Sequence, residues 1–195
     1  LTSDQVERIC LAQDACGVTR FLPTLTTDGY EVLEHGMRTI ADACEQSAAV
    51  RDRVAGIHLE GPYLSKEDGP RGAHPLQHCR PPDWDEFARL QEAACGRIRL
   101  LTISPEYKEA PAFIARAAAS GVLVAIGHTA ASSAQIQAAV DAGARAGYLV
   151  DFAHDPTQAG RVALCDACAG AGREGTQAAR STISACTVSE CATTT

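Results

Sequence analysis

No run of apolar residues approaches the roughly 18 that a membrane-spanning helix requires, and no stripe of Lys and Arg breaks the surface chemistry toward positive. Seventeen basic residues face 24 acidic ones, for a formal charge of −7. That balance argues against partners bound through phosphate or lipid electrostatics, so neither nucleic acid nor a membrane surface is expected and a small molecule is. A disulfide framework is missing as well. The nine cysteines are odd in number, and Cys10, Cys16, Cys44, Cys79 and Cys95 stand singly without a repeating spacing, as unpaired thiols do in a reducing compartment. The opening segment LTSDQVERICLAQDACG reads as an amphipathic helix rather than a leader peptide. A cytoplasmic protein is the expectation.

What is present suits one sizeable core: 46% of the 195 residues are hydrophobic, 21% charged and 5% aromatic. Up to residue 150 short apolar runs alternate with longer amphipathic ones. The periodicity predicts helices over 2–15, 27–47, 83–94, 110–120 and 132–142, and strands over 20–25, 54–59, 98–103, 122–126 and 146–150. Gly17, Gly121 and Gly143 stand where helices should stop, and Thr2-Ser3-Asp4 and Pro82-Asp83 where they should start. Such alternation predicts an α/β fold with buried parallel strands. Five βα units in about 150 residues make part of a (β/α)₈ barrel, whose usual length is about 250. Residues 1–150 are therefore expected to form one partial-barrel domain. The segment 151–195, rich in Ala, Thr, Ser, Gly and Cys, is expected to be an irregular or disordered tail.

In βα folds ligands bind at the carboxyl ends of the strands, where loops meet and helix N-termini point inward. The predicted ends carry Thr24-Leu25-Thr26-Thr27, His58-Leu59-Glu60-Gly61-Pro62, Ser104-Pro105-Glu106 and Gly127-His128-Thr129. Glu60 closes an apolar strand and is followed at once by a Gly-Pro turn that fixes its direction. A carboxylate there must be solvated, paired or metal-bound. Glu60 and His128 offer oxygen and nitrogen donors from different strands, the donor types that suit zinc, iron or manganese. Taken singly, each also reads as an ordinary capping or hydrogen-bonded residue. His74 lies in a Gly- and charge-rich loop that leaves the same strand end as Glu60. Glu106 is read as structural.

These motifs carry a resemblance. Phe21-Leu22-Pro23-Thr24-Leu25-Thr26, His58-Leu59-Glu60-Gly61-Pro62-Tyr63-Leu64, Gly72-Ala73-His74, Ile103-Ser104-Pro105-Glu106, Gly127-His128-Thr129 and Asp141-Ala142-Gly143-Ala144 resemble, in order and spacing, the middle of the N-acetylglucosamine-6-phosphate deacetylases of the amidohydrolase superfamily. The likeness runs from residue 1 to about 145. It implies a metal-dependent barrel that removes acetate from the 2-acetamido group of an amino-sugar phosphate. It further implies that Glu60 and His128 are metal ligands, and that Ala73 and His74 contact substrate, with His74 near the amide carbonyl.

Departures from that pattern matter equally. After the Asp-Ala-Gly-Ala turn the family pattern ends its next strand in Thr-His-Leu, whose histidine is a third metal ligand. This chain reads Arg145-Ala146-Gly147-Tyr148-Leu149-Val150-Asp151-Phe152-Ala153-His154, so that only His154, in a shifted register, is available to replace it. No counterpart of the family's catalytic aspartate is present, and no catalytic residue is identified. The tail is either a truncated and diverged end or a sequence read in a shifted frame, and low activity is expected of a chain so interrupted. Two alternatives stand beside this reading: a vestigial, non-catalytic half-barrel, and a small zinc module built on Cys165, Cys168, Cys186 and Cys191. An incomplete barrel exposes sheet edges, which makes a second copy of the chain a candidate partner.

Overall fold

The computed structural model describes residues 1–147 and 185–187, the latter as backbone. The expectations for 148–150, for His154 and for the tail cysteines Cys165, Cys168 and Cys191 lie outside the described residues, as does the side chain of Cys186. Two compact units result. Unit 1 includes residues 1–60 and 83–100, and unit 2 includes 61–82 and 101–147; strand β3 (Ile98–Ile103) runs through both.

In unit 1, helix α1 (Ser3–Ala15) opens with the expected capping box: Thr2 accepts from the Gln5 amide, and the Gln5 side chain accepts from the Thr2 amide at 2.9 Å. Strand β1 (Leu22–Thr26) follows, then α2 (Tyr30–Gln46), α3 (Ala48–Arg53), β2 (Ile57–Glu60) and α4 (Trp84–Ala93). Helix α2 buries Leu33, Met37, Ile40, Ala41 and Cys44, a spacing of three and four that makes one apolar stripe. Asp83 caps α4 through the amides of Asp85 and Glu86. β1 pairs in parallel with β2, Thr24 opposite His58 and Thr26 opposite Glu60, and on its other side with β6 (Ala185–Thr187). The Ile57 amide bonds the Arg97 carbonyl at 2.7 Å, and strand order here is β3-β2-β1-β6.

Unit 2 begins with a loop over 61–82 that contains one 3₁₀ turn, Leu76–His78. Helix α5 (Ala110–Ala119), strand β4 (Leu123–Ile126), helix α6 (Ser133–Asp141) and strand β5 (Ala146–Gly147) complete it, with strand order β5-β4-β3. β4 and β5 are parallel, Ala125 opposite Ala146. Helix α5 carries Pro111 in its first turn, where no amide is needed, and buries Phe113, Ile114 and Ala117. Ser132 and Gln135 form a second capping box ahead of α6.

Parallel strands with intervening helices are the α/β architecture that the alternation predicts. Three details differ. The helix predicted from residue 27 starts at Tyr30, because Asp28 turns back to bond the Gly29 amide at 2.7 Å. Helix α3 has no counterpart among the predicted helices: Ser47 ends α2 and caps six residues whose one buried apolar anchor is Val50, too few for a periodic signal. Strand β2 starts at Ile57 rather than Val54, which makes only an isolated bridge to Phe21. Cys10, Cys16, Cys44, Cys79 and Cys95 are free thiols. Burial pushes the Cys10 thiol up to about 11, so it behaves as a small hydrophobe. Among the described residues no helix is long and apolar enough to cross a membrane.

Candidate functional site

Strand β2 buries Ile57, His58 and Leu59 and leaves Glu60 half-buried at its carboxyl end. Alternation along a strand sends His58 and Glu60 to one face. His58 is buried with Thr24 of β1, the Thr24 hydroxyl lying 3.1 Å from His58 Nδ1. Burial holds the His58 pKa below its ordinary value, against the opposing pull of the Glu60 carboxylate. A neutral imidazole therefore sits behind the acidic end of the strand. The Glu60 carbonyl accepts the Thr27 hydroxyl at 3.3 Å, so that the strand end is tied to the turn after β1. Glu60 is thereby placed by unit 1.

The loop of unit 2 starts with Gly61, whose φ of +89° is natural only for glycine, and Gly61-Pro62 is a cis peptide. Its course is closely bonded. The Gly61 amide meets the Thr102 carbonyl, Ser104 N–H donates to Tyr63 O at 2.8 Å, and the Tyr107 hydroxyl donates to Leu64 O at 2.7 Å. Burial, aided by Glu106 and Cys79, pushes the Tyr107 phenol up to about 12, which keeps it a donor. Farther along, Arg71 donates to the His74 carbonyl at 2.7 Å and pairs with Asp68. Ala73 is exposed and His74 buried.

Unit 2 brings His74 and His128 together. Their Nε2 atoms are 3.3 Å apart, with ring centroids at 4.3 Å and planes inclined by 72°. Only one proton fits between two nitrogens at that distance, so at least one Nε2 of the pair presents a lone pair. His128 also has φ +48°, a left-handed backbone that a residue with a side chain rarely adopts. No sequence pattern signals this conformation. The role of Glu106 was legible only as structural, and the structure gives its form. It does not cap α5; its Oε2 accepts from Ser104 Oγ and from the Ala130 amide, both at 2.9 Å.

With this geometry in view, the chain was compared with known proteins. No family model matches it. The N-acetylglucosamine-6-phosphate deacetylase of Lysinibacillus sphaericus is 32% identical, over 77% of this chain and 40% of that protein. The N-acetylgalactosamine-6-phosphate deacetylase of Shewanella sp. (strain ANA-3) is 35% identical, over 66% of this chain and 31% of that protein. Among solved structures, a variant of the Mycobacterium smegmatis N-acetyl-D-glucosamine-6-phosphate deacetylase in complex with N-acetyl-D-glucosamine-6-phosphate matches with a TM-score of 0.70 and 37% identity, covering 80% of this chain and 39% of that one. The chain thus spans well under half the length of the relatives it matches. It is a partial-length homologue of the N-acetylglucosamine-6-phosphate deacetylases, and its parallel α/β sheet corresponds to part of their barrel.

Proposed function

We propose that the chain is built for metal-dependent removal of acetate from the 2-acetamido group of an amino-sugar 6-phosphate, with N-acetylglucosamine 6-phosphate as the substrate. The observation that carries this reading is the 37% identity to a deacetylase structure holding that compound. The Shewanella relative, at 35% identity, favours the N-acetylgalactosamine compound as a second substrate to assay. Residues 1–150 form the catalytic region, and it works in the cytoplasm.

Glu60 and His128 are the proposed metal ligands, with Ala73 and His74 beside the substrate. A carboxylate and an imidazole are donors that suit zinc, iron or manganese. A bound divalent ion would supply a water of lowered pKa and polarise the amide carbonyl. The chain's own contribution is positional. The end of β2 aims Glu60, the turn after β4 presents His128, and the Arg71 bond to the His74 carbonyl steadies the loop that carries Ala73 and His74. A His74 N–H turned toward an amide oxygen would stabilise charge that develops there.

Metal content and acetate release test the reading together. Purified chain is expected to retain a divalent ion, and Glu60→Ala with His128→Ala to lose it. Turnover on either amino-sugar phosphate is expected to be several orders of magnitude below that of a complete deacetylase, because no general acid/base aspartate is identified. Metal that survives the double substitution and leaves only when Cys165 and Cys168 are replaced would move the site to the tail. Robust turnover would show that the missing acid/base is present after all.

A further inference from the structure

The left-handed backbone of His128 is strained for a residue with a side chain and persists only where the surroundings impose it. Unit 2 supplies those surroundings. The His128 carbonyl accepts the Ser65 amide at 3.0 Å. The next residue, Thr129, lies with its hydroxyl 2.8 Å from Ser104 Oγ, and Ser104 is fully buried. One assignment of protons satisfies every contact: Thr129 accepts the Ala131 amide and donates to Ser104, which in turn donates to Glu106 Oε2. That same carboxylate oxygen takes the Ala130 amide, and the Glu106 carbonyl takes the Gln135 side-chain amide at 3.1 Å. The turn that carries His128 is thus bonded to Glu106 through Ser104 and Thr129 on one side and through Ala130 on the other.

We infer that Glu106, acting through Ser104 and Thr129, is a positioning residue for His128: it holds the strained turn in the one conformation that presents the imidazole. The inference rests on the proposed role of His128 as a metal ligand for its functional consequence, but the positioning itself is a property of the metal-free chain. Glu106 touches neither reacting atoms nor metal. Its side-chain oxygen accepts two bonds at once, from Ser104 Oγ and from the Ala130 amide.

The test uses the full chain with Co(II) as the probe, its affinity read by competition with a chromophoric chelator and its geometry from the visible absorption band. Glu106→Ala and Thr129→Val each break the bonded path. Both are expected to weaken Co(II) binding by about 10- to 100-fold, the cost usual for losing a partner that orients a ligand, and to change the band. Glu106→Gln keeps an oxygen that accepts both bonds and is expected to restore affinity to within about threefold of wild type. In the metal-free protein, the ring ¹H–¹⁵N correlation of His128 should move in Glu106→Ala and return in Glu106→Gln.

Wild-type affinity, band and ring signals in both Glu106→Ala and Thr129→Val would overturn the inference. So would a Glu106→Gln variant as weak as Glu106→Ala, since charge rather than position would then be the cause. If His128→Ala binds Co(II) as tightly as wild type, the ligand reading of His128 fails instead, and the ring signals alone decide whether Glu106 positions it. Should Glu106→Ala not fold, Thr129→Val carries the same comparison.

Discussion

Single positions in this chain differ in how much their surroundings demand of them. Gly56, just before β2, has no unusual φ, yet a Cβ built there would lie 2.8 Å from Arg99 Cβ and 3.2 Å from the Arg97 carbonyl. The close approach leaves no room for a methyl group, and neither neighbour is the free end of a flexible chain. Gly56→Ala is therefore expected to cost about 1–3 kcal/mol, measured by urea unfolding; an unchanged midpoint would mean that the strands part at no cost. His128 is the opposite case, a position where a side chain is kept in a conformation that favours glycine. Its donor atom was legible as a histidine at a strand end, but its backbone state was not, because the bonds that impose it come from Ser65 and, through Thr129, from Ser104 and Glu106, 22 or more residues away in sequence.

Helices and strands show which interactions carry stability. The apolar stripe of α2 has Met37 and Ile40 fully buried. Met37→Ala is expected to destabilise the chain by about 2–5 kcal/mol, the range for deleting a large buried side chain, seen as a lowered thermal midpoint. Between α1 and α3 the link is ionic: Arg53 Nε lies 2.8 and 2.7 Å from the two carboxylate oxygens of Asp14. The Arg53 guanidinium, chiefly by these bonds, holds the Asp14 carboxyl below its usual 3.8. The folded chain thus binds that proton less tightly than the unfolded chain does. The contribution is complete above pH 3.8 and is lost as the pH falls through the lower folded value. Arg53→Met should flatten that part of the acid unfolding curve, and an identical acid limb in the variant would remove Asp14 from the account. Caps at Thr2, Asp83 and Ser132 fell where the sequence placed helix starts, since a cap is a local bond between near neighbours. Helix α3 escaped notice for the complementary reason: six residues with one buried anchor form a helix only because neighbouring elements receive it, and α1 and α2 both pack on it.

At the scale of the molecule, the chain resembles part of a deacetylase barrel, and its match covers 40% of its Lysinibacillus relative. The activity expected of it is correspondingly small, since no acid/base aspartate is identified, while the proposed ligands Glu60 and His128 remain to hold an ion even without the family's third histidine. The two measurements should therefore separate: an ion retained, with little acetate released. The α/β order, the parallel strands and the chemistry at the strand ends could be read from residue pattern alone, since period and punctuation are local and a strand buried on both faces announces itself by an unbroken apolar run. Which side chains meet could not. Thr24 with His58, His74 with His128, and Ser104 with Thr129 are contacts made by strands and loops laid side by side, and no local rule encodes a distance between residues 34, 54 or 25 positions apart. Donor types and their places on strands belong to the chain's own residues; the buried neutral state of His58 and the strained turn that presents His128 exist only once packing excludes water and supplies the partners.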